Sequence, residues 1–544
     1  MLRATVRLAV SVAVASLFLR SWVWPLHGVI RGDLHGDSSL LTWNLWAMTE
    51  SALRGQDPYR TSLLYAPVGA NLATHTYGLG FLPIPLLCRA LLPGDATWPI
   101  EASHLTIWAC CALGLFLAYH ALRALRANGL AAAAGAMAWT FAPVFRSRAL
   151  ETHLVAAAFL LPALTLALAR LVDRPARSRA VVLGAILGGC VYFSEYYSAF
   201  LWLGALLLAG AVCIGRETRA EACRIASALG ARGVAMGVGA FAVVAFPFLA
   251  HWASSDALPL NPEQAYFESA NLAGLVVPDV VATPLYRHVP GIRPLGARVR
   301  RGIGGGAVFL GLPVMAGAAL GLVSGDRRLR RLAWILTVVF LVLSLGPELK
   351  IFETNTRLWL PYRGLMELPP FEMARAPARL AAVGLWGLVG LMSLGLTRAM
   401  AALGRHTSWP AGAALGLVVL GWTAAENHGP TPVVDLFEPP AELSALGPGG
   451  VLNVPVSARD SLAMLLQMLH GRAIATGYVS RLSQRQADHV GRLDALLQKE
   501  PAALVSGLQS LGIGNAIVAR GVSDAEVEQL QKAGLRVVDL RRLP

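Results

Sequence analysis

The sequence is poor in charge, in lysine and in cysteine. Only 14% of its 544 residues are Asp, Glu, Lys or Arg, where a soluble domain carries about a quarter. That shortage excludes disorder and a string of water-soluble domains, and it leaves lipid as the solvent for most of the chain. Lysine is nearly missing: Lys350, Lys499 and Lys532 stand among 46 basic residues, and the rest are arginine. Six cysteines, Cys88, Cys110, Cys111, Cys190, Cys213 and Cys223, exclude a disulfide scaffold. They sit mostly in apolar runs without paired histidines and read as small apolar fillers. No His-Glu-x-x-His occurs, and no Gly-x-Ser-x-Gly elbow lies on a strand-to-helix turn. Gly302-Ile-Gly-Gly-Gly306 lacks the Gly-Lys-Ser/Thr that makes a phosphate loop.

Apolar residues, in contrast, are plentiful at 55%, with a mean hydropathy of +0.55. Crossing a bilayer takes about 20 of them in a row. Such runs lie near 6–24, 103–122, 129–145, 153–171, 180–194, 197–215, 234–251, 304–323, 332–346, 378–397 and 410–425. The first follows Arg3 and Arg7 and resembles a signal peptide. Trp22, Trp24 and Pro25 stand where a small-residue cleavage site would, so it reads as an uncleaved anchor. The run 76–92, with Pro83 and Pro85, reads as re-entrant or interfacial. The net charge of +14 then finds a use. Arg123/Arg126, the cluster Arg170–Arg179, Arg216–Arg232, Arg327–Arg331 and Arg398/Arg405 fall on one side together with the N-terminus. By the positive-inside rule that side is the cytoplasm. Nucleic acid is not needed as a partner. The expected protein is an all-α polytopic membrane protein with about 11 transmembrane helices, in the inner (cytoplasmic) membrane.

Three large segments, 25–101, 252–302 and 347–377, face outward on this count, as does the C-terminus. The expected transmembrane domain is 1–425, with the first outer loop at 25–101. From Glu426 a Pro-rich linker leads into ordinary soluble composition. Strand patterns at 451–456, 513–519 and 535–540 alternate with helical ones near 459–470, 484–498, 501–511 and 523–533. That alternation predicts a small extracytoplasmic α/β domain over 426–544.

Four constellations carry possible chemistry. Asp33 and Asp37 precede the stretch Leu40–Leu53, whose Trp43 and Trp46 suit an interfacial helix with Trp at headgroup depth. Asp37 reads either as a helix cap or as a general base just outside the membrane. Arg146, Arg148, Glu151 and His153 share an outer hairpin tip. They read as snorkelling residues with a local ion pair, or as a phosphate or sugar pocket. Tyr192, Glu195, Tyr196 and Tyr197 share the next tip, where the tyrosines suit an aromatic belt and Glu195 needs a partner or water. Arg375 and Arg379 are four apart and share a face if their helix starts early. Arginine grips phosphate with two parallel hydrogen bonds. The outer loop 252–302 adds Arg287, Arg293, Arg298, Arg300 and Arg301, against the positive-inside preference. Metal ligation by His35 with Asp33 and Asp37 is a lesser alternative.

A further set of motifs runs along most of the chain. It comprises Gly36-Asp37, Trp43-Asn-Leu-Trp46, Tyr65-Ala-Pro-Val-Gly69, His75, Phe141-Ala-Pro143, His153 and Glu195-Tyr-Tyr197. Leu345-Gly-Pro347, Leu368-Pro-Pro-Phe371, Arg375-Ala-Pro-Ala-Arg379, His470-Gly-Arg472 and Gly477-Tyr478 follow. In this order they resemble the GT-C superfamily of polytopic membrane glycosyltransferases, and more closely a large bacterial branch of it. The resemblance implies a polyprenyl-phosphate-linked sugar donor and inverting transfer of a hexosyl or pentosyl group. The acceptor would be an extracytoplasmic cell-envelope glycan or lipid. It also implies Asp37 as base with Asp33 second, and His75, Arg148, His153 and Glu195 at the substrate. Arg375 and Arg379 would hold the lipid phosphate. Many members carry two adjacent acidic residues in the first loop, whereas Asp33 and Asp37 are four apart. That spacing argues against a metal-dependent oligosaccharyltransferase, so no cofactor is expected, with a divalent metal as the less favoured alternative. A lipid or glycan transporter or flippase, and a non-catalytic membrane scaffold of similar fold, are the competing readings.

Overall fold

The computed structural model describes residues 2–20, 29–31, 34, 36–146, 157–259, 261–281, 283–302, 308–323, 327–368, 375–406, 410–428, 434–436, 439–457, 460–499 and 501–541. Among these, a helix lies on each of the eleven apolar runs. They are α1 (Leu2–Phe18), α4 (Trp98–Ala124), α5 (Gly129–Thr140), α6 (Ala157–Asp173), α7 (Arg177–Gly189), α8 (Glu195–Ile214), α9 (Arg216–Ala253), α10 (Leu312–Leu322), α11 (Arg327–Ser344), α12 (Ala381–His406) and α13 (Pro410–Asn427). Between α1 and α4 come α2 (Asp37–Leu53) and α3 (Pro83–Leu91). Four segments among the described residues are long and apolar enough to cross a membrane: Trp98–Ala124, Glu195–Ile214, Thr218–Ala253 and Pro377–Arg405. The others are shorter or less apolar. The eleven residues of α10 rise only about 16 Å, about half of a hydrocarbon core. The nine of α3, in the run read as re-entrant, rise about 14 Å and cannot cross alone.

The helices pack in two unlike ways. The apolar stretch of α12 is almost wholly buried and touches α5, α10, α11 and α13. α4 gathers α1, α5 and α6. At the periphery α7 lies along α9, and much of α9 faces outward, including Val243 and Phe246. Such exposure is costly in water and costs nothing against lipid chains. Small residues let the peripheral pair close: a Cβ on Gly184 would stand 2.0 Å from the Gly237 carbonyl oxygen. Gly230, at φ 63°, breaks α9 before its apolar half begins.

The strands are short and scattered along the chain. β1 (Val29–Arg31) pairs antiparallel with β6 (Val434–Leu436), which turns part of the Pro-rich linker into a strand. Hairpins form from β2 (Arg60–Thr61) with β3 (Ala70–Asn71), and β4 (Glu348–Ile351) with β5 (Thr354–Trp359). In the C-terminal stretch β7 (Gly450–Val454), β8 (Ile513–Val518) and β9 (Arg536–Asp539) form a parallel sheet in that order. Helices α14 (Ser461–His470), α15 (Gln484–Leu497) and α16 (Pro501–Ser510) connect β7 to β8, and α17 (Asp524–Lys532) connects β8 to β9. Parallel strands need such crossovers. Leu452, Val454, Leu504, Leu508, Val518 and Leu530 form this region's own apolar core.

One expectation fails here. α2 is not an interfacial helix. Every residue from Ser39 to Thr49 is buried, Trp43 fully. The helix packs on α4 and on α14 of the C-terminal region. Its apolar and small polar residues are spread around the axis, the pattern of a helix covered on all sides. The aromatic-belt reading of Tyr196 and Tyr197 fails likewise, since both are buried.

Candidate functional site

The junction between the first loop and the C-terminal region is built on buried hydrogen bonds. Trp43 Nε1 donates to Gln467 Oε1 at 2.7 Å, and Gln467 Nε2 donates to the carbonyls of Leu63 and Arg472. Backbone bonds add to the seam, from Tyr65 to Thr476, from Ala66 to Ile474 and from Ile474 to Leu63. His75 is 2% exposed and sits where the two parts meet. The Ser480 backbone N–H donates to its Nδ1 at 2.9 Å, so Nδ1 is bare and the proton is on Nε2. Nε2 then donates to Asn44 Oδ1 at 3.0 Å, and Asn44 Nδ2 donates to the Thr76 carbonyl at 2.9 Å. Burial holds the His75 pKa down to about 3, and the nearby charge of Arg375 pushes the same way. The imidazole is neutral and joins α2 to Ser480 of the C-terminal region.

Beside this joint lies a cationic cluster centred on Tyr196. The helix that carries it begins at Ser194, whose hydroxyl accepts from the Tyr197 N–H. Glu195 follows in the first turn, where a carboxylate suits the helix dipole. The Arg379 guanidinium stands 4.7 Å from the centre of the Tyr196 ring. Arg481 lies near enough to Tyr196, and Arg375 to Tyr478 and Tyr196, for the groups to act on one another electrostatically. The charges of Arg481, Arg379 and Arg375 all reach Glu195. Arg379 and Arg481 are each 8% exposed. Burial lowers the Arg481 pKa, as it must for a cation taken out of water. At Arg375 burial acts the same way, but Tyr196, Tyr478 and Asp37 outweigh it and the pKa rises. Desolvated guanidinium groups gathered about Glu195 make a candidate place for an anion.

The site residues expected from sequence are placed as follows. Asp37 is the first residue of α2, exposed, and near enough for its charge to act on Arg375. It is not the helix cap: that position is Gly36, with no side-chain bond. His75, Glu195, Arg375 and Arg379 gather at the same junction. Arg375 and Arg379 do not share a helix face, because α12 starts only at Ala381 and Arg379 lies in the tight turn Pro377–Leu380 before it. Asp33, His35, Arg148, Glu151 and His153 lie outside the described residues. Among the described residues no three of His, Cys, Asp and Glu gather as metal ligands. Three arginines of the 252–302 loop pair with carboxylates of the protein itself. Arg298 and Arg301 pair with Glu353 at 3.1 and 2.8 Å, and Arg300 pairs with Asp279. Of the cysteines, Cys213 and Cys223 are exposed rather than interior fillers.

Two residues of the cluster were missed from sequence as site residues, Tyr196 and Arg481. Tyr196 sits in a motif already quoted, and its burial was the missing fact. Arg481 lies about a hundred residues after Arg379, in a stretch of ordinary soluble composition. Its one local signal is its position three residues after Gly477-Tyr478.

Residues 55–422 match the family described as "Domain of unknown function (DUF6311)". Among solved structures the chain is similar to ArnT from Cupriavidus metallidurans bound to undecaprenyl phosphate. The identity is 13%, with 97% of this chain and 89% of that chain covered and a TM-score of 0.46. It is also similar to the Archaeoglobus fulgidus oligosaccharyltransferase in complex with Zn and sulfate. There the identity is 11%, with 94% of this chain and 68% of that chain covered and a TM-score of 0.47. At these identities and scores the likeness fixes neither the site nor its chemistry. No curated protein matches the sequence.

Proposed function

The chain belongs to the DUF6311 family, and from that premise we propose that it is an integral membrane glycosyltransferase using a polyprenyl-phosphate-linked sugar. One observation carries the reading: Asp37, Glu195, Arg375 and Arg379, far apart in sequence, gather at one junction beside apolar helices. The sequence resemblance to the GT-C superfamily supports it further. In the proposed topology all eleven helices insert, the shorter ones tilted, kinked or packed against protein. The N-terminus is cytoplasmic, and residues 426–544 form an extracytoplasmic α/β domain.

The chemistry asked of the site is modest. The acceptor hydroxyl oxygen attacks C1 of the sugar while the bond from C1 to the phosphate oxygen breaks. The oxygen keeps the electron pair and leaves as polyprenyl phosphate. Asp37, exposed at the start of α2, takes the acceptor proton. Arg375 and Arg379 hold the phosphate, and Glu195 fixes the arginines. Lipid, donor and leaving group share the interface, so the tail never leaves the bilayer. Transfer on this scheme survives EDTA.

The test begins with co-purifying lipid. Native mass spectrometry of wild-type protein in mild detergent is expected to show a polyprenyl phosphate or its glycoside, lost in Arg375→Ala/Arg379→Ala. The sugar mass names the donor for an assay of Asp37→Asn, which should fold and not transfer. Bulk phospholipid alone on both proteins, or full transfer by Asp37→Asn, would sink the scheme.

A further inference from the structure

We propose that a groove between α4, α6 and α7 is a binding site for one anionic diacyl phospholipid of the surrounding bilayer. An acyl chain lies along its apolar walls, and the phosphate sits against Arg170 and Arg179 at one end. The groove shares no residue with the Tyr196 cluster, and the inference does not depend on the transferase reading.

The groove has a volume of about 440 Å³, within the range of small-molecule sites. Leu117 of α4, Leu166 and Ala167 of α6, and Val182 and Ile186 of α7 wall it. Val182 is 52% exposed, so the groove opens outward on that side. Along α7 its lining runs from Ser178 to Ile186, a rise of about 12 Å. The charged residues of the lining are Arg170 and Arg179. Arg170 stands in the last turn of α6 and Arg179 in the first turn of α7, so both lie at the same end. The result is a slot parallel to the helices, apolar along its length and cationic where it ends.

The cationic end is fixed in place. Arg179 Nη1 donates to the carbonyls of Arg170 and Arg174 at 2.7 and 2.8 Å, which closes the last turn of α6 and holds the guanidinium at the rim. Among the described residues neither Arg170 nor Arg179 pairs with a carboxylate, whereas their neighbours Arg174 and Arg224 pair with Asp173 and Glu221. An apolar slot on a surface that faces lipid accepts an acyl chain whatever its headgroup. The two arginines select the headgroup. A zwitterionic lipid brings its own ammonium, while an anionic one leaves its phosphate charge for the guanidinium forks. The positive-inside rule places this arginine-rich end in the cytoplasm, where basic clusters between helices draw anionic headgroups. Free phosphate would leave the apolar walls unused.

The experiment uses the full chain, delipidated in a neutral detergent, and two probes with the same acyl chains, phosphatidylglycerol and phosphatidylcholine. Native mass spectrometry counts bound copies and gives affinities, with melting temperatures as the fold control. Wild type is expected to hold one copy of phosphatidylglycerol about tenfold more tightly than phosphatidylcholine, as for a charged hydrogen bond. Arg170→Gln/Arg179→Gln should erase that preference. Arg170→Gln alone serves if the double variant does not fold, because the Arg170 side chain makes no bond among the described residues. Val182→Trp, which fills the open side, should weaken both lipids. Arg405→Gln, at an exposed arginine outside the groove, should change neither. Equal affinity of wild type for the two lipids, a preference that survives in the arginine variants, or the same loss in Arg405→Gln overturns the site. Displacement of phosphatidylglycerol by an equal concentration of inorganic phosphate overturns the lipid as its occupant.

Discussion

Two buried polar clusters lie side by side at the junction, and they are built on opposite principles. In the Asn44–His75–Ser480 cluster every group is neutral and both ring nitrogens are used. In the Tyr196 cluster three guanidinium groups act on Glu195. A neutral, satisfied network rigidifies and specifies a contact. A cationic one pays for burial only when an anion completes it. The first cluster is a joint and the second the proposed anion site, and the joint holds part of that site in place.

The contrast can be broken most severely with acid. His75 has a folded pKa of about 3 against an ordinary 6.5. Between those values the unfolded chain binds the extra proton, so stability is full above about pH 6.5 and falls as the pH drops toward 3. The ceiling is about 4–5 kcal/mol. His470, which burial lowers to about 4, adds to the same window. Melting temperature should fall across this range in wild type, and the slope should flatten in His75→Gln. Next in size, Arg375→Ala or Arg379→Ala should cut transfer by roughly 10²–10³, the cost of losing one preorganised charge stabiliser. Melting temperature should fall modestly in Arg375→Ala, whose charge Tyr196, Tyr478 and Asp37 favour in the fold. A drop in stability with unchanged transfer would make the arginines structural. Smaller again, Trp43→Phe deletes a buried 2.7 Å hydrogen bond to Gln467 and should cost about 1–3 kcal/mol in chemical unfolding. It should leave phosphate binding intact. At the low end, Arg301→Ala removes an exposed pair with Glu353. Its melting curve should overlay wild type, as most surface ion pairs contribute little.

Much of the fold was legible because its signals are local. Each apolar run carries a helix, and the strands and helices of the C-terminal stretch fall close to their expected places. Periodicity and run length need no partner to be read. The first loop was less legible. Trp43 and Trp46 looked like headgroup anchors because tryptophan favours membrane interfaces, and nothing in 37–53 announces that Gln467 waits for Trp43. The site divides in the same way. Asp37, Glu195, Arg375 and Arg379 stood out as charges next to apolar runs, which are expensive wherever they occur. Arg481 stood in polar sequence, where an arginine is unremarked, and only its burial sets it apart.

By itself the sequence determined that lipid is the solvent for the helices, where helices form, and which charges need an explanation. Those follow from composition and spacing, because desolvation acts on each segment wherever it folds. Which charges meet was decided by tertiary structure alone. The separation between Glu195 and Arg481 along the chain exceeds any local period. What brings them together is the docking of the C-terminal region on α2, through Trp43, Asn44 and His75. Hydrogen bonds of that kind are short-ranged and directional, and no pattern in one strand of sequence records their partners.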